Sequence, residues 1–224
     1  MGMHTSKQFE EDLAELKNRL LYMGSLVEEM IRQVVIALMD RNSEIANKVI
    51  DDDKLIDDLE KEIDEMCLRT IALRQPTAGD LRFITSTMKL VTDLERIADI
   101  AVNIAERVLE LNLEPQLKPY IDLPNMAATV QQMVKDSLDA VVKEDVARAI
   151  AIRKQDKDID QLYQQIFREL LTFMMENPLT ITRAMRLIFV AKSFERIADH
   201  ATNIAEQVLF LVRGKDVRHT EVID

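Results

Sequence analysis

The strongest constraint on this chain is that it repeats itself. Residues 94–111, LERIADIAVNIAERVLEL, return as residues 194–211, FERIADHATNIAEQVLFL, and at a constant offset of 100 thirteen positions are identical. Upstream the offset is 103, and it matches Val27 with Val130, Met30 with Met133, Asp53 with Asp156, Asp57 with Asp160 and Leu59 with Leu162, among others. The change of offset falls near Pro76 and Pro178, where a loop can absorb it. The unit therefore occurs twice, whereas an open solenoid needs at least about three units. A duplicated fold keeps apolar positions for packing. Here the duplicated residues include carboxylates, which a core does not need, so a duplicated job is implied.

Composition fixes the class. The chain of 224 residues has only 4 Gly and 5 Pro, is 31% charged and lacks Trp. That is the composition of long helices packed through aliphatic and Met side chains. No apolar run approaches the roughly 20 residues of a membrane span, and no signal peptide opens the chain. The single cysteine, Cys67, excludes an internal disulfide and sits at a core-facing helix position. These features point to the cytoplasm. A net charge of −11 argues against nucleic acid as a partner and is compatible with cations or a basic protein patch.

The periodicity predicts six helices, over 8–40, 43–74, 77–112, 122–142, 145–175 and 179–213. Asn42-Ser43 offers a turn and an N-cap, Thr77 can cap the third helix after Gln75-Pro76, and Gly214 ends the sixth. The first six and last ten residues, with His4 and His219, read as frayed tails. Pro115, Pro119 and Pro124 mark a linker, so residues 1–114 and 125–224 form the two repeats and 115–124 joins them. The expected fold is all-α: two tandem three-helix up-down-up bundles, six helices in all, related by internal duplication about a pseudo-twofold.

The acids then acquire a geometry. On a wheel of about 100° per residue, Glu95, Asp99, Asn103 and Glu106 fall within about 80° of one another, opposite Leu94, Ile97, Ala98 and Ala101. Asp53 and Asp57 share one face of the second helix, opposite Ile56 and Leu59. Folding the second helix back on the third about residue 76 brings Asp57 level with Glu95 and Asp53 level with Asp99. The second half repeats this with Asp160 and Glu195, and Asp156 and Asp199, about residue 177.5. Each hairpin gathers four carboxylates on an outward stripe. Like charges so close destabilise unless something neutralises them. All-oxygen ligands suit a hard cation, Mg²⁺, Mn²⁺, Ca²⁺ or oxidised iron. The plain alternative is a solvated face, and Arg96 and Arg196 are the competing neutralisers. Asn103 and Asn203 are either further ligands or solvent-facing. Glu106 and Glu206 read as ordinary surface acids.

Nothing else carries chemistry. His200 points about 100° away from Asp199 and has Ile100 as its counterpart, so it is not a shared ligand. No Gly-rich phosphate loop and no Ser-His-Asp set occurs. Di-iron helical bundles need Glu-x-x-His motifs facing inward, whereas alanine follows both Glu95 and Glu195 at i+3. A carboxylate-bridged metalloenzyme and a metal-free helical scaffold are the rival readings; catalysis is not expected.

The segments Asp93-Leu94-Glu95-Arg96-Ile97-Ala98-Asp99 and Phe194-Glu195-Arg196-Ile197-Ala198-Asp199-His200, each followed by Asn-Ile-Ala-Glu, resemble the PhoU family. Gln75-Pro76-Thr77-Ala78-Gly79-Asp80-Leu81-Arg82 is similar to that family's entry into its third helix. The resemblance implies two three-helix bundles and surface metal clusters on Glu/Asp-x-x-x-Asp motifs, here Asp53/Asp57, Glu95/Asp99, Asp156/Asp160 and Glu195/Asp199. It implies a homodimeric negative regulator of phosphate uptake and phosphate-starvation signalling. The implied partners are the ATPase subunit of the phosphate ABC transporter and a phosphate-sensing histidine kinase. Two departures stand out: Ala98 and Ala198 replace a frequent glycine, and Ile100 replaces the usual histidine of the first motif.

Overall fold

A computed structural model describes residues 2–117, 120 and 122–214, with side chains from residue 7 onward. His219 and the rest of the expected C-terminal tail lie outside the described residues. Six helices follow in order: α1 (Gly2–Met39), α2 (Ser43–Arg74), α3 (Ala78–Asn112), α4 (Asp122–Lys143), α5 (Val146–Glu176) and α6 (Ile181–Arg213), with a 3₁₀ turn at Pro178–Thr180. The helix bounds follow the sequence reading to within two residues except at the start of the chain. The first helix already runs from Gly2, ahead of the apolar periodicity that locates it. Pro124 lies inside the first turn of α4, where its missing N–H has no helical acceptor to satisfy.

The breaks repeat as faithfully as the helices. Arg41 and Glu144, 103 residues apart, both take left-handed φ values of 52° and stop α1 and α4. The next residues, Asn42 and Asp145, are both N-caps. Asn42 accepts from the amides of Glu44 and Ile45, and Asp145 from that of Arg148. Thr77 is the N-cap residue of α3, but its hydroxyl donates to the Asp80 carboxylate at 2.8 Å instead of accepting from a backbone amide. A neighbouring acid competes for the same short hydroxyl.

Within each half the three helices all touch. Between halves, α3 packs on α6 and α1 on α4, while α2 and α5 touch only their own half. So α3 and α6 are central, and α2 and α5 form the two flanks. One continuous apolar core runs through both halves, and Leu117 and Tyr120 of the connecting segment pack against it. The α1–α4 approach is close: a Cβ at Gly24 would meet Leu138 Cδ2 at 3.0 Å. Just beyond it lies a cleft of about 380 Å³ lined by Ser25, Glu28, Glu29 and Arg32 and by Ala128, Gln131, Gln132 and Lys135. These are four pairs at the offset of 103, so the cleft sits on the pseudo-twofold axis. At the other end of the interface, Arg186 binds Glu110 and Glu114 at 2.9 and 2.5 Å, tying α6 to the end of α3. Cys67 is fully buried, and that burial pushes its thiol up to about 12, so it is an inert core residue.

Candidate functional site: a carboxylate groove on each flank

Antiparallel pairing of α2 with α3, and of α5 with α6, leaves an outward groove on each flank of the molecule. The predicted acids line these grooves. In the first, Asp53 is raised above the usual carboxylate range by burial and then by Asp57 and Asp99. That sets Asp53 near Asp99, one of the two expected level pairs, whereas the acid of α2 that acts on Glu95 is Glu60. Glu95 is pushed up to about 7, first by burial, then by Asp99 and Glu60, with Arg96 opposing. In the second groove Asp156 is raised by burial, then by Asp160, Glu195 and Glu206. Asp199 is pushed up to about 6 by desolvation, then by Glu195 and Asp156.

The outward reading of the stripe needs correction. Glu195 and Glu206 are buried, and the side chain of Glu95 is only 14% exposed. Wheel angles place these acids opposite their own helix's core side, but the neighbouring antiparallel helix covers that side as well. Glu106 is exposed, as expected of a surface acid. Its twin Glu206 instead forms a buried ion pair with Arg153 at 3.1 Å. Arg153 stands where the first half has Ile50, so nothing in the twin could reveal it.

Other predicted residues turn elsewhere. Asn103 donates its amide to the Asp99 carbonyl at 2.7 Å, and Asn203 donates to Asp93 of α3 at 3.2 Å. Sequence reasoning also missed Glu60 and Asp64, which extend the first groove. Glu60 is raised by burial and then by Asp64 and Asp57. Their signal was available: 53, 57, 60 and 64 make one i, i+4, i+7, i+11 stripe on α2.

The donor chemistry suits a hard cation, and each groove holds an orphaned glutamate oxygen, with Asp64 Oδ1 a further orphan in the first. Glu95 Oε2 and Glu195 Oε2 are buried without a hydrogen-bond partner. Glu95 Oε2 does lie 3.3 Å from Arg96 Nε, but out of hydrogen-bonding line. Protein cations meanwhile occupy the acids. Arg96 reaches Glu95 and also Asp99, the latter at 3.0 Å, and Lys192 reaches Glu195 at 2.5 Å. Among the described residues no three acidic, His or Cys side chains stand as a ready ligand set. An ion would therefore have to displace Arg96 or Lys192 and turn the carboxylates toward itself.

Fold and site together define a duplicated all-helical protein with a carboxylate groove on each flank. A family model described as PhoU domain matches twice, at residues 20–108 and 123–208. The chain belongs to the PhoU family. A phosphate-specific transport system accessory protein PhoU homolog of Pseudomonas aeruginosa is 44% identical over 96% of this chain and 90% of its own length. The phosphate-specific transport system accessory protein PhoU of Escherichia coli is 37% identical over 98% of this chain and 91% of its own. Among solved structures, PhoU from Pseudomonas aeruginosa aligns with a TM-score of 0.90 at 42% identity, covering 92% of this chain and 100% of that one. The phosphate transport system regulatory protein PhoU from Streptococcus pneumoniae aligns at 0.88 and 31% identity, over 93% and 99%.

Proposed function

We propose that this chain is an accessory regulator of phosphate-specific transport, acting through protein surfaces rather than by catalysis. The carrying observation is the double match to the PhoU domain, spanning both halves, among relatives named as transport accessory proteins. The finer reading is negative regulation of phosphate uptake and phosphate-starvation signalling, exerted in the cytoplasm by a homodimer. Its contacts are the transporter's ATPase subunit and a phosphate-sensing histidine kinase. No described helix is long and apolar enough to cross a membrane, which is consistent with that placement. The test is a pull-down with the ATPase subunit and with the kinase's cytoplasmic region. Binding to neither, alongside hydrolytic or oxidase turnover, reverses the assignment.

The proposal includes one hard cation per groove, Mg²⁺, Mn²⁺, Ca²⁺ or Fe³⁺. Asp53, Asp57, Glu95 and Asp99 would hold it in the first half and Asp156, Asp160, Glu195 and Asp199 in the second, with Asn103 and Asn203 at the margins. The ion would supply charge neutralisation. The raised acids and the two orphaned glutamate oxygens support this. At a hundredfold excess over Kd the ion should stabilise the fold by about 2.7 kcal/mol. E95A/D99A should remove one site and leave the other, read as metal stoichiometry together with melting temperature. Full stoichiometry in the quadruple variant with E195A/D199A would sink the site. Arg96 on Glu95 and Asp99 favours a second reading, a metal-free scaffold neutralised from within, and wild type without any metal-dependent shift would establish it.

A further inference from the structure

Followed from the acids toward the hairpin tip, the two grooves part company. On α5 the groove line runs Asp156, Asp160, Tyr163, Phe167, Leu171, Met175, and on α6 it runs Asp199, Glu195, Lys192, Met185, Ile181. Lys192 Nζ lies 5.3 Å from the centre of the Tyr163 ring, so the two lines are level across the groove. Beyond that pair the surface turns apolar. Phe167, Leu171, Met175, Ile181 and Met185 are all exposed, as is Leu179 at the turn, with Met175 at 78% and Leu179 at 86%. A contiguous exposed apolar strip of this kind marks an interaction site. The twin half keeps Leu68 and Leu81 exposed in the places of Leu171 and Ile181, but it does without the other three. Asp64 stands for Phe167, Ala72 for Met175, and Thr85 for Met185.

We propose that the α5–α6 groove, when no metal ion occupies its acids, docks an amphipathic helix of a partner protein, with an apolar half seated on the Phe167–Leu171–Met185 strip and Lys or Arg residues taking the cation's place on Asp156, Asp160 and Asp199. Charge complementarity selects this occupant. The strip opens directly into the acidic end of the same groove, and the chain carries −11 overall. A second copy would bring like charge against the acids, and an anionic membrane would be repelled. The length fits. From the level of Asp156 to that of Met175 the groove runs roughly 28 Å, about five turns of helix. Met175 and Met185 give the strip the soft, adaptable surface that helix-in-groove sites use. This deepens the regulatory reading by naming the chemistry the partner must carry, and it rests on that reading only for which proteins carry it.

The probe is a fluorescein-labelled synthetic helix of about 20 residues, with Leu and Phe at i, i+4 and i+7 in one half and Lys at the same spacing in the other. It is made in both chain directions and titrated by anisotropy with chelator present. One direction should bind, and F167D and M185T should each weaken it by about tenfold or more. Both changes install a residue the twin half already holds, and unchanged circular dichroism confirms folding. L68D, on the other flank, should leave binding intact. Failure of both peptides to bind, or equal binding by F167D and M185T, overturns the proposal. So does light scattering that shows a dimer lost in these variants, or wild-type binding to phosphatidylglycerol vesicles lost in them. If the groove fails while the pull-down with the ATPase or kinase succeeds, the regulatory role stands and only this surface is wrong.

Discussion

The two flank grooves are built on the same duplicated motif, yet they are neutralised differently. In the first, Arg96 folds over Glu95 and Asp99, and Glu60 and Asp64 carry the acid stripe on toward the tip. In the second, Arg196 is exposed and makes no ion pair with a described residue; Lys192, where the first half has Thr92, reaches Glu195 instead. Tyr163 and Phe167 replace Glu60 and Asp64, and the stripe ends in apolar surface. Duplication has preserved the acids themselves while their cations and surroundings drifted. A residue needed only to neutralise can come from any nearby position. A carboxylate that must sit at a given height cannot. The comparison therefore separates what the site requires from what merely accompanies it.

The largest expected effects lie where the halves share a core but differ in size. Phe194 and Leu94 are twins, and both are fully buried. F194A should cost about 3–5 kcal/mol and L94A about 2–5, measured by urea unfolding. F194L, which installs the twin's residue, should cost about 1–2 kcal/mol. A cost for F194A no larger than that of a surface change would mean the two halves do not share one cooperative core.

Next come the twins Glu206 and Glu106. Removing Glu206 takes away the carboxylate that Arg153, whose side chain is only 19% exposed, meets at 3.1 Å, so E206A should cost about 3 kcal/mol. E106A, at an exposed position, should stay within about 0.5 kcal/mol of the parent. Equal costs would make the buried pair energetically idle and remove one of the clearest differences between the halves.

What sequence could show follows the same division. The duplication, the helix count, the cap at Asn42 and the approach of Asp53 to Asp99 and of Asp156 to Asp199 were legible, because periodicity and antiparallel rise are backbone properties. The burial of Glu95 and Glu195 was not, because a wheel describes one helix and the cover comes from its neighbour. Arg153 and Lys192 were not legible either, since each is unique to one half and comparison of twins discards what is unshared. Thr77 showed its cap position but not its bond, because Asp80 competes for the hydroxyl.

The pH response should distinguish the grooves more subtly. In chelator, unfolded Asp and Glu titrate near about 4. Folded Glu95 holds its proton to about 7 and Asp199 to about 6. Across that window the folded state binds more protons than the unfolded, so stability falls as pH rises. The second groove's share should be lost by about pH 6, and the first groove's should continue falling to about pH 7. E95Q should flatten the upper part of the curve and D199N the lower part. Urea midpoints measured from pH 5 to 8 decide it, and a wild-type curve rising through that range contradicts the buried-acid reading.

The smallest effect concerns a second polar link across α3 and α6 that, like Arg186–Glu110, breaks the pseudo-twofold. Asp93 of α3 meets His200 Nδ1 of α6 at 2.9 Å and also accepts from Asn203. Twofold symmetry puts Ser193 and Ile100 at the matching place, and both are buried. The same packing site therefore holds either an acid with a histidine or a serine with an isoleucine. D93S alone leaves His200 without its carboxylate, and H200I alone leaves a carboxylate only 16% exposed with one weaker donor. Each should cost about 1–2 kcal/mol, the usual penalty for an unpaired, largely buried polar group. The double variant copies the twin and should come within about 1 kcal/mol of the parent, because the interface already tolerates that pair once. The cycle should show a coupling of at least about 0.5 kcal/mol. If the single effects simply add, the Asp93–His200 contact does not bind the halves together, and the departure from symmetry there has no energetic consequence.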